Sequence, residues 1–218
     1  MYNRPLERGR DSVPPKPKHT REQIIAAALE LVSEKGMEML TARELGARLG
    51  TSARPIFTAF KNMEEVQQEV IGAAVKRFQS YAEKAVHFTP AFKQLGMQVL
   101  LFAAEEPRLY QLLFMRGDGT RRSFDEAFSF DDRMSVAGIQ MIQKDYGLSA
   151  EEAAVLFRHV WIFTFGLGAL CATGVCCFSD EEINDLLGQN FMAMLARVQS
   201  GEIQKPTVHP QLNAMDSD

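Results

Sequence analysis

From Ile24 onward the apolar residues of this chain fall three and four positions apart. Ile24, Ile25, Ala28, Leu29 and Val32 follow a Thr20-x-x-Gln23 capping box and stop at Gly36, which predicts a helix over 20–35. A second box, Thr41-x-x-Glu44, opens a predicted helix over 42–49, with Leu45 and Leu49 inside and Gly50 as its stop. A short helix is expected over 53–60, with Ser52 as its cap and Ile56 and Phe60 on one face. Asn62 then caps a long helix with Glu64 and Glu65 in its first turn and Val66, Val70, Ala73, Ala74 and Phe78 along its apolar stripe. Thr89-Pro90 breaks that helix, and Pro90 and Pro107 both suit a first helical position. Ser149-x-x-Glu152 and Ser179-x-x-Glu182 are two more capping boxes, while Gly147 and Gly201 stand as stop signals. No alternating strand pattern and no internal repeat is visible. The fold expected is all-α, with about nine helices: a small N-terminal three-helix unit running into a larger C-terminal bundle.

The helices over 42–49 and 53–60, joined at Gly50-Thr51, form a helix-turn-helix pattern. The first helix is expected to pack behind it through Ile25, Leu29 and Val32. In such a unit the second helix enters the DNA major groove by its N-terminal end. That geometry accommodates Pro55. With Ser52 as cap, Pro55 is the third helical residue, whose N–H has no intrahelical partner to lose, and the Ser52 hydroxyl is left to cap the Arg54 N–H. Ala53 and Thr58 are small enough for close approach to base pairs. Arg54 is the candidate base reader, able to bond guanine O6 and N7, a pairing worth ~1–3 kcal/mol of discrimination. The Pro55 ring and the Thr58 methyl suit thymine methyls. Thr41 and Arg43 suit phosphate at the preceding helix start, and Lys61 is a further phosphate candidate.

Charge sharpens this picture. Residues 1–61 hold 11 Lys/Arg against 7 Asp/Glu, and residues 62–218 hold 13 against 21. A basic segment on an acidic body fits local contact with a polyanion. Residues 1–18 are rich in Pro and basic residues, so a flexible arm is expected there, with Arg4, Arg8 and Arg10 able to reach a minor groove. Residues 202–218 read as a disordered tail. The three cysteines, Cys171, Cys176 and Cys177, make no disulfide framework and fit a reducing cytoplasm. No N-terminal secretory signal is visible. The uncharged run Val160–Ser179 approaches the length of a membrane span, but its glycines and threonines and the charges flanking it favour a buried helix, so no membrane is expected.

The block from Thr20 to Val66 resembles the N-terminal domain of TetR/AcrR-family transcriptional regulators. The resemblance rests on Ala27 and Ala28, Gly36, Leu40-Thr41, Arg43-Glu44-Leu45, Leu49-Gly50, Ser52, Ile56-Phe57 and Phe60. Phe57 stands where the family usually has tyrosine, and Met63 where it usually has lysine, so two phosphate contacts are lost and a shallower salt dependence follows. Together with Thr41, Arg43, Thr51, Ser52, Ala53, Arg54, Pro55, Thr58 and Lys61, Phe57 completes the candidate DNA-facing set. Downstream, Pro107–Met115 and Trp161-x-x-x-Phe165-Gly166 are similar to the family's Trp-His-Gly subgroup, with Phe165 in place of the histidine. The resemblance implies a division into a DNA-binding domain over 19–62 and a ligand-binding and dimerisation domain over 63–201. It also implies a homodimer, a palindromic double-stranded operator, and release of DNA when a small-molecule effector binds.

The C-terminal half admits that reading. Met97, Leu101, Phe102, Tyr110, Phe114, Met115, Met141, Trp161 and Phe165 are candidate walls of an apolar cavity, or simply core. Phe163, Leu167, Leu170, Leu187, Phe191 and Leu195 are candidates for a four-helix dimer contact. His19, His87, His159 and His209 are scattered, and no HExxH, GxSxG or phosphate-cradling glycine loop occurs, so no enzymatic activity, metal or cofactor is expected. The rival to a ligand-responsive repressor is a helical protein that sequesters a hydrophobic molecule and binds DNA weakly or not at all.

Overall fold

The computed structural model describes residues 19–88, 90–117 and 132–203. These form nine α-helices and no strand: α1 (Arg21–Lys35), α2 (Ala42–Arg48), α3 (Arg54–Ala59), α4 (Met63–Ala82), α5 (Ala91–Glu105), α6 (Pro107–Phe114), α7 (Asp132–Tyr146), α8 (Ala150–Ala172) and α9 (Asp180–Gln199). Short 3-10 turns lie at Met37–Met39 and Glu83–His87. The arm over 1–18, with Arg4, Arg8 and Arg10, lies outside the described residues, as does the tail from 204 onward. Glu202 and Ile203, expected in that tail, instead fold back on α9. The Ile203 N–H bonds the Arg197 carbonyl at 3.2 Å, and the Ile203 side chain packs on the core.

The polar signals that predicted the helix starts are mostly built as read. Thr20, Ser149 and Ser179 form complete capping boxes with Gln23, Glu152 and Glu182. Thr41 forms only half of one: its hydroxyl accepts from the Glu44 N–H at 3.2 Å, while the Glu44 carboxylate lies 3.9 Å from the Lys35 ammonium on α1. Asn62 accepts from the Glu65 N–H at 2.9 Å and starts α4. Pro107 occupies a first helical position, whereas Pro90 stands one residue outside its helix as the N-cap of α5.

α8 runs through the middle of the C-terminal bundle, against α5, α6, α7 and α9. By length and composition it is also a helix apolar enough to cross a membrane. The uncharged sequence run does not continue as helix to Ser179, however. α8 ends at Ala172, and Gly174 leaves it with φ 70°. Val155, Leu156, Phe157, Val160, Trp161, Leu167 and Ala172 are buried inside the chain.

An aromatic cluster fills the bundle. Phe78, Phe102, Tyr110, Phe114 and Phe165 meet at centroid separations of 4.8–6.5 Å, mostly tilted or edge-on. Gly168 is fixed by this cluster, because a Cβ there would overlap the Tyr110 hydroxyl. The N-terminal unit is tied to the bundle by a polar latch. Arg77 on α4 bonds Glu30 of α1 and, at 3.0 Å, Glu106 at the α5–α6 junction, and the Ser33 hydroxyl of α1 donates to the same Glu106 at 2.6 Å.

Candidate nucleic-acid interface

α2 and α3 cross where α2 carries no side chain. A Cβ on the buried Gly46 would stand 3.1–3.2 Å from backbone atoms of Thr51, Ser52 and Ala53, so a side chain there would have to push the turn before α3 back by a few tenths of an ångström. The Thr51 N–H donates to the Gly46 carbonyl at 2.9 Å and locks the crossing. Gly50 makes the turn with φ 65°, a conformation costly for side-chain-bearing residues. Behind this pair, Ile24, Ala28, Leu45, Ile56 and Phe60 are buried together. Ile25, expected to be a main contact, is only half-buried; Ile24 takes the inward position.

The start of α3 departs from the expectation. Ser52 does not cap it. Ala53 is the capping residue, already in the right-handed helical region (φ −66°, ψ −17°), and the helix begins at Arg54. The reason is the crossing itself: the backbone of Thr51 and Ser52 is held against Gly46, so the chain enters helical geometry one residue later. Pro55 becomes the second helical residue, where the missing N–H still costs little. The Ile56 N–H donates to the Ala53 carbonyl at 3.1 Å.

The predicted DNA-facing side chains come together on one exposed surface. Thr41, Arg43, Ser52, Arg54, Phe57, Thr58 and Lys61 are exposed, and Thr51, Ala53 and Pro55 are partly so. Phe57 stands half in solvent, at 50% exposure. The Thr58 hydroxyl donates to the Arg54 carbonyl at 3.2 Å, which turns its methyl outward. Neither Arg43 nor Arg54 is in an ion pair among the described residues.

One residue that holds this surface escaped the sequence reading. Arg21, in the first turn of α1, donates to the Ala59 carbonyl at the C-terminal end of α3 at 2.9 Å. It also reaches Glu65 and Glu69 of α4, each at 2.8 Å, and lies over the Phe60 ring at 4.1 Å. Three helices thus meet on one guanidinium, whose pKa the two carboxylates raise. The Glu65 carboxylate in turn accepts the Lys61 N–H at 2.7 Å, and that bond together with Arg21 lowers its pKa. The available signal was the i, i+4 spacing of Glu65 and Glu69 on one face of α4. A second clamp, Arg48 to Glu34 through two bonds of 2.6 and 2.7 Å, fixes α2 on α1.

Residues 24–70 match the family model of bacterial regulatory proteins, tetR family. The N-terminal domain is that of the bacterial tetR-family regulatory proteins, and the chain is a DNA-binding transcriptional regulator. The match covers most of α1, all of α2 and α3 and the first part of α4, so it contains α3 and the Glu65 and Glu69 partners of Arg21, which itself lies three residues before it. Two solved structures are similar over most of the regulator. One is a TetR-like transcriptional regulator from Rhodococcus sp. RHA1, at 15% identity and a TM-score of 0.61, spanning 80% of this chain and 94% of that one. The other is a protein from Mesorhizobium loti MAFF303099 assigned to the TetR family, at 20% identity and a TM-score of 0.58, spanning 82% and 98%. At such identities the likeness speaks for the fold. No curated protein matches the regulator.

In the C-terminal bundle the regulator distributes the predicted cavity residues widely. Phe102 and Tyr110 are fully buried core, and burial pushes the Tyr110 hydroxyl pKa up while it donates to the Phe165 carbonyl at 3.2 Å. Phe114, Met141 and Phe165 pack on that core, and Met97 packs on a smaller cluster of Leu100, Leu167, Ile183 and Leu187. Leu101 and Met115 lie on the surface. Of the nine, Trp161 borders the cavity of about 270 Å³ that opens between α5, α8 and α9. Its other walls include Phe92, Tyr146 of α7, Val160, Thr164, Leu187 and Phe191, so two of the candidates for a dimer contact, Leu187 and Phe191, border the cavity. Leu167 and Leu195 are also turned inward, Phe163 is half-buried, and Leu170 is exposed. The outward apolar positions of the last two helices are Ile162 and Leu170 on α8 and Met192 on α9.

Proposed function

We propose that the regulator is a cytoplasmic homodimeric repressor that leaves a palindromic operator when a small, largely apolar effector binds. The observation that carries this is the pairing of an outward-facing reading helix with an under-filled apolar bundle in one chain. Residues 19–62 serve as the DNA-binding unit and residues 63–201 as the effector and dimer unit. Arg54 reads a base, Ala53, Pro55, Phe57 and Thr58 lie against base edges and sugars, and Thr41, Arg43 and Lys61 hold phosphate. The dimer forms through α8 and α9. Ile162, Gly166 and Leu170 recur at four-residue spacing on the exposed side of α8, and Met192 is 60% exposed on α9. A two-fold axis there sets two reading helices about one DNA turn apart, ~34–36 Å.

Effector binding acts through differential affinity for two packings of the bundle. The Glu30–Arg77–Glu106–Ser33 latch is the polar link by which a change at the α5–α6 junction reaches α1. Selection of bound duplexes from a random DNA pool at physiological salt tests the reading, with sedimentation equilibrium on the same sample. An enriched palindrome with half-sites one turn apart, from a dimer, is expected. Salt-sensitive binding without any enriched motif contradicts it.

A further inference from the structure

The cavity between α5, α8 and α9 has a composition that selects its guest. Its walls are apolar, from Phe92, Val160, Trp161, Leu187 and Phe191, and Lys93 is the single charged residue among them. No carboxylate of the described residues pairs with Lys93. The other polar side chains on the wall are Tyr146 and Thr164; Thr164 is 1% exposed, and its hydroxyl proton already goes to the Val160 carbonyl at 2.9 Å. Lys93 is therefore the one cationic group that the walls offer. Gly188 on α9 also borders the space, and a Cβ there would meet nothing within 4 Å. Packing gives no reason for glycine at that point of a helix interior, where it costs roughly 1 kcal/mol relative to alanine.

We propose that the effector of this regulator is an amphiphilic acid: an apolar body lying against Trp161 and Phe191, with one anionic group at Lys93. This rests on the effector reading above and names its chemistry. An apolar cavity of about 150 Å³ holds benzene, so about 270 Å³ takes a body of roughly ten non-hydrogen atoms. A part-exposed ion pair adds up to about fivefold in affinity over a neutral head of the same length.

Trp161 is the only tryptophan in the chain and borders the cavity, so its fluorescence reports occupancy directly. Octanoate and 1-octanol are titrated against the full-length protein without DNA, in the wild type, Lys93→Gln and Gly188→Leu. Saturable change with both probes is expected, with octanoate favoured about three- to fivefold at equal salt. Lys93→Gln, a substitution at the rim, removes the preference and leaves octanol binding unchanged. Gly188→Leu removes the response to both probes while circular dichroism stays helical. Octanol binding as tightly as octanoate, a preference that survives Lys93→Gln, or no saturable response to either probe overturns the proposal. Because no DNA is present, such a failure leaves the operator selection to report separately on the regulator.

Discussion

The two ends of this protein solve opposite packing problems. Around α3 the chain is closed tightly: a Cβ on Gly46 would crowd the turn at 3.1–3.2 Å, Arg21 gathers three helices, and Arg48 clamps a fourth contact. What faces outward there is polar or basic except for Phe57, Ala53 and Pro55. Around α8 the chain is large, aromatic and not fully closed, with a cavity of about 270 Å³ beside a cluster of interlocked rings. A base-reading surface needs fixed geometry, since a bidentate contact is lost with small displacements. An effector site needs a region that can repack between states. The difference teaches where rigidity and slack are each useful in one small regulator.

The largest effect that would break this contrast is in the aromatic cluster. Phe102 is fully buried against Phe78, Tyr81 and Tyr110, so Phe102→Ala is expected to cost about 3–5 kcal/mol, read by urea unfolding. If it costs under about 1 kcal/mol, the bundle is slack throughout and not only at its cavity. Next comes the crossing. Gly46→Leu is expected to destabilise by about 1–3 kcal/mol and to abolish operator binding, measured by thermal unfolding and fluorescence anisotropy. Retained operator affinity would show that the α2–α3 angle does not set the reading geometry.

These two sites also mark what the sequence disclosed. The helix starts were legible because a cap is a local signal: Thr20, Asn62, Ser149 and Ser179 each satisfy a backbone N–H three residues on. The exposure of α3 was legible for a related reason, since only Ile56 and, just past its end, Phe60 carry its buried face. The cap of α3 was misread because Ser52 is held by Gly46, a contact with another helix. The cavity was not legible because its walls come from α5, α7, α8 and α9, up to about a hundred positions apart. A stripe of Met and Phe cannot show which of its members face a void and which face one another. Leu187 and Phe191 have the spacing of a dimer seam and line the cavity.

Smaller effects sharpen the account of the clamp. Arg21→Ala should weaken operator binding several-fold with only a slight change in thermal midpoint, because its ion pairs are part-exposed and their main effect is to orient α3. Equal loss with Arg21→Lys would tie the effect to the forked guanidinium, and full rescue by lysine would reduce it to charge. The smallest expected effect is in acid. Glu65 and Glu34 have carboxyl pKa values lowered from the ordinary 4.5, Glu65 by the Lys61 N–H and Arg21, and Glu34 by Arg48. A lowered folded-state value means the stabilisation is complete above the ordinary value and is lost as pH falls below it. The thermal midpoint of Glu65→Gln should therefore fall below that of the wild type at neutral pH, and the two should converge below pH ~4. A gap that stays constant down to pH ~3 would remove the carboxylates from the clamp.

The most direct test of the central claim is a pair of binding titrations of Arg54→Ala, on the selected operator and on a scrambled duplex of the same length and salt. If Arg54 reads a base from the end of α3, the variant loses ~1–3 kcal/mol on the operator and almost nothing on the scrambled duplex. Equal loss on both would make Arg54 a phosphate contact and leave the reading helix without its reader.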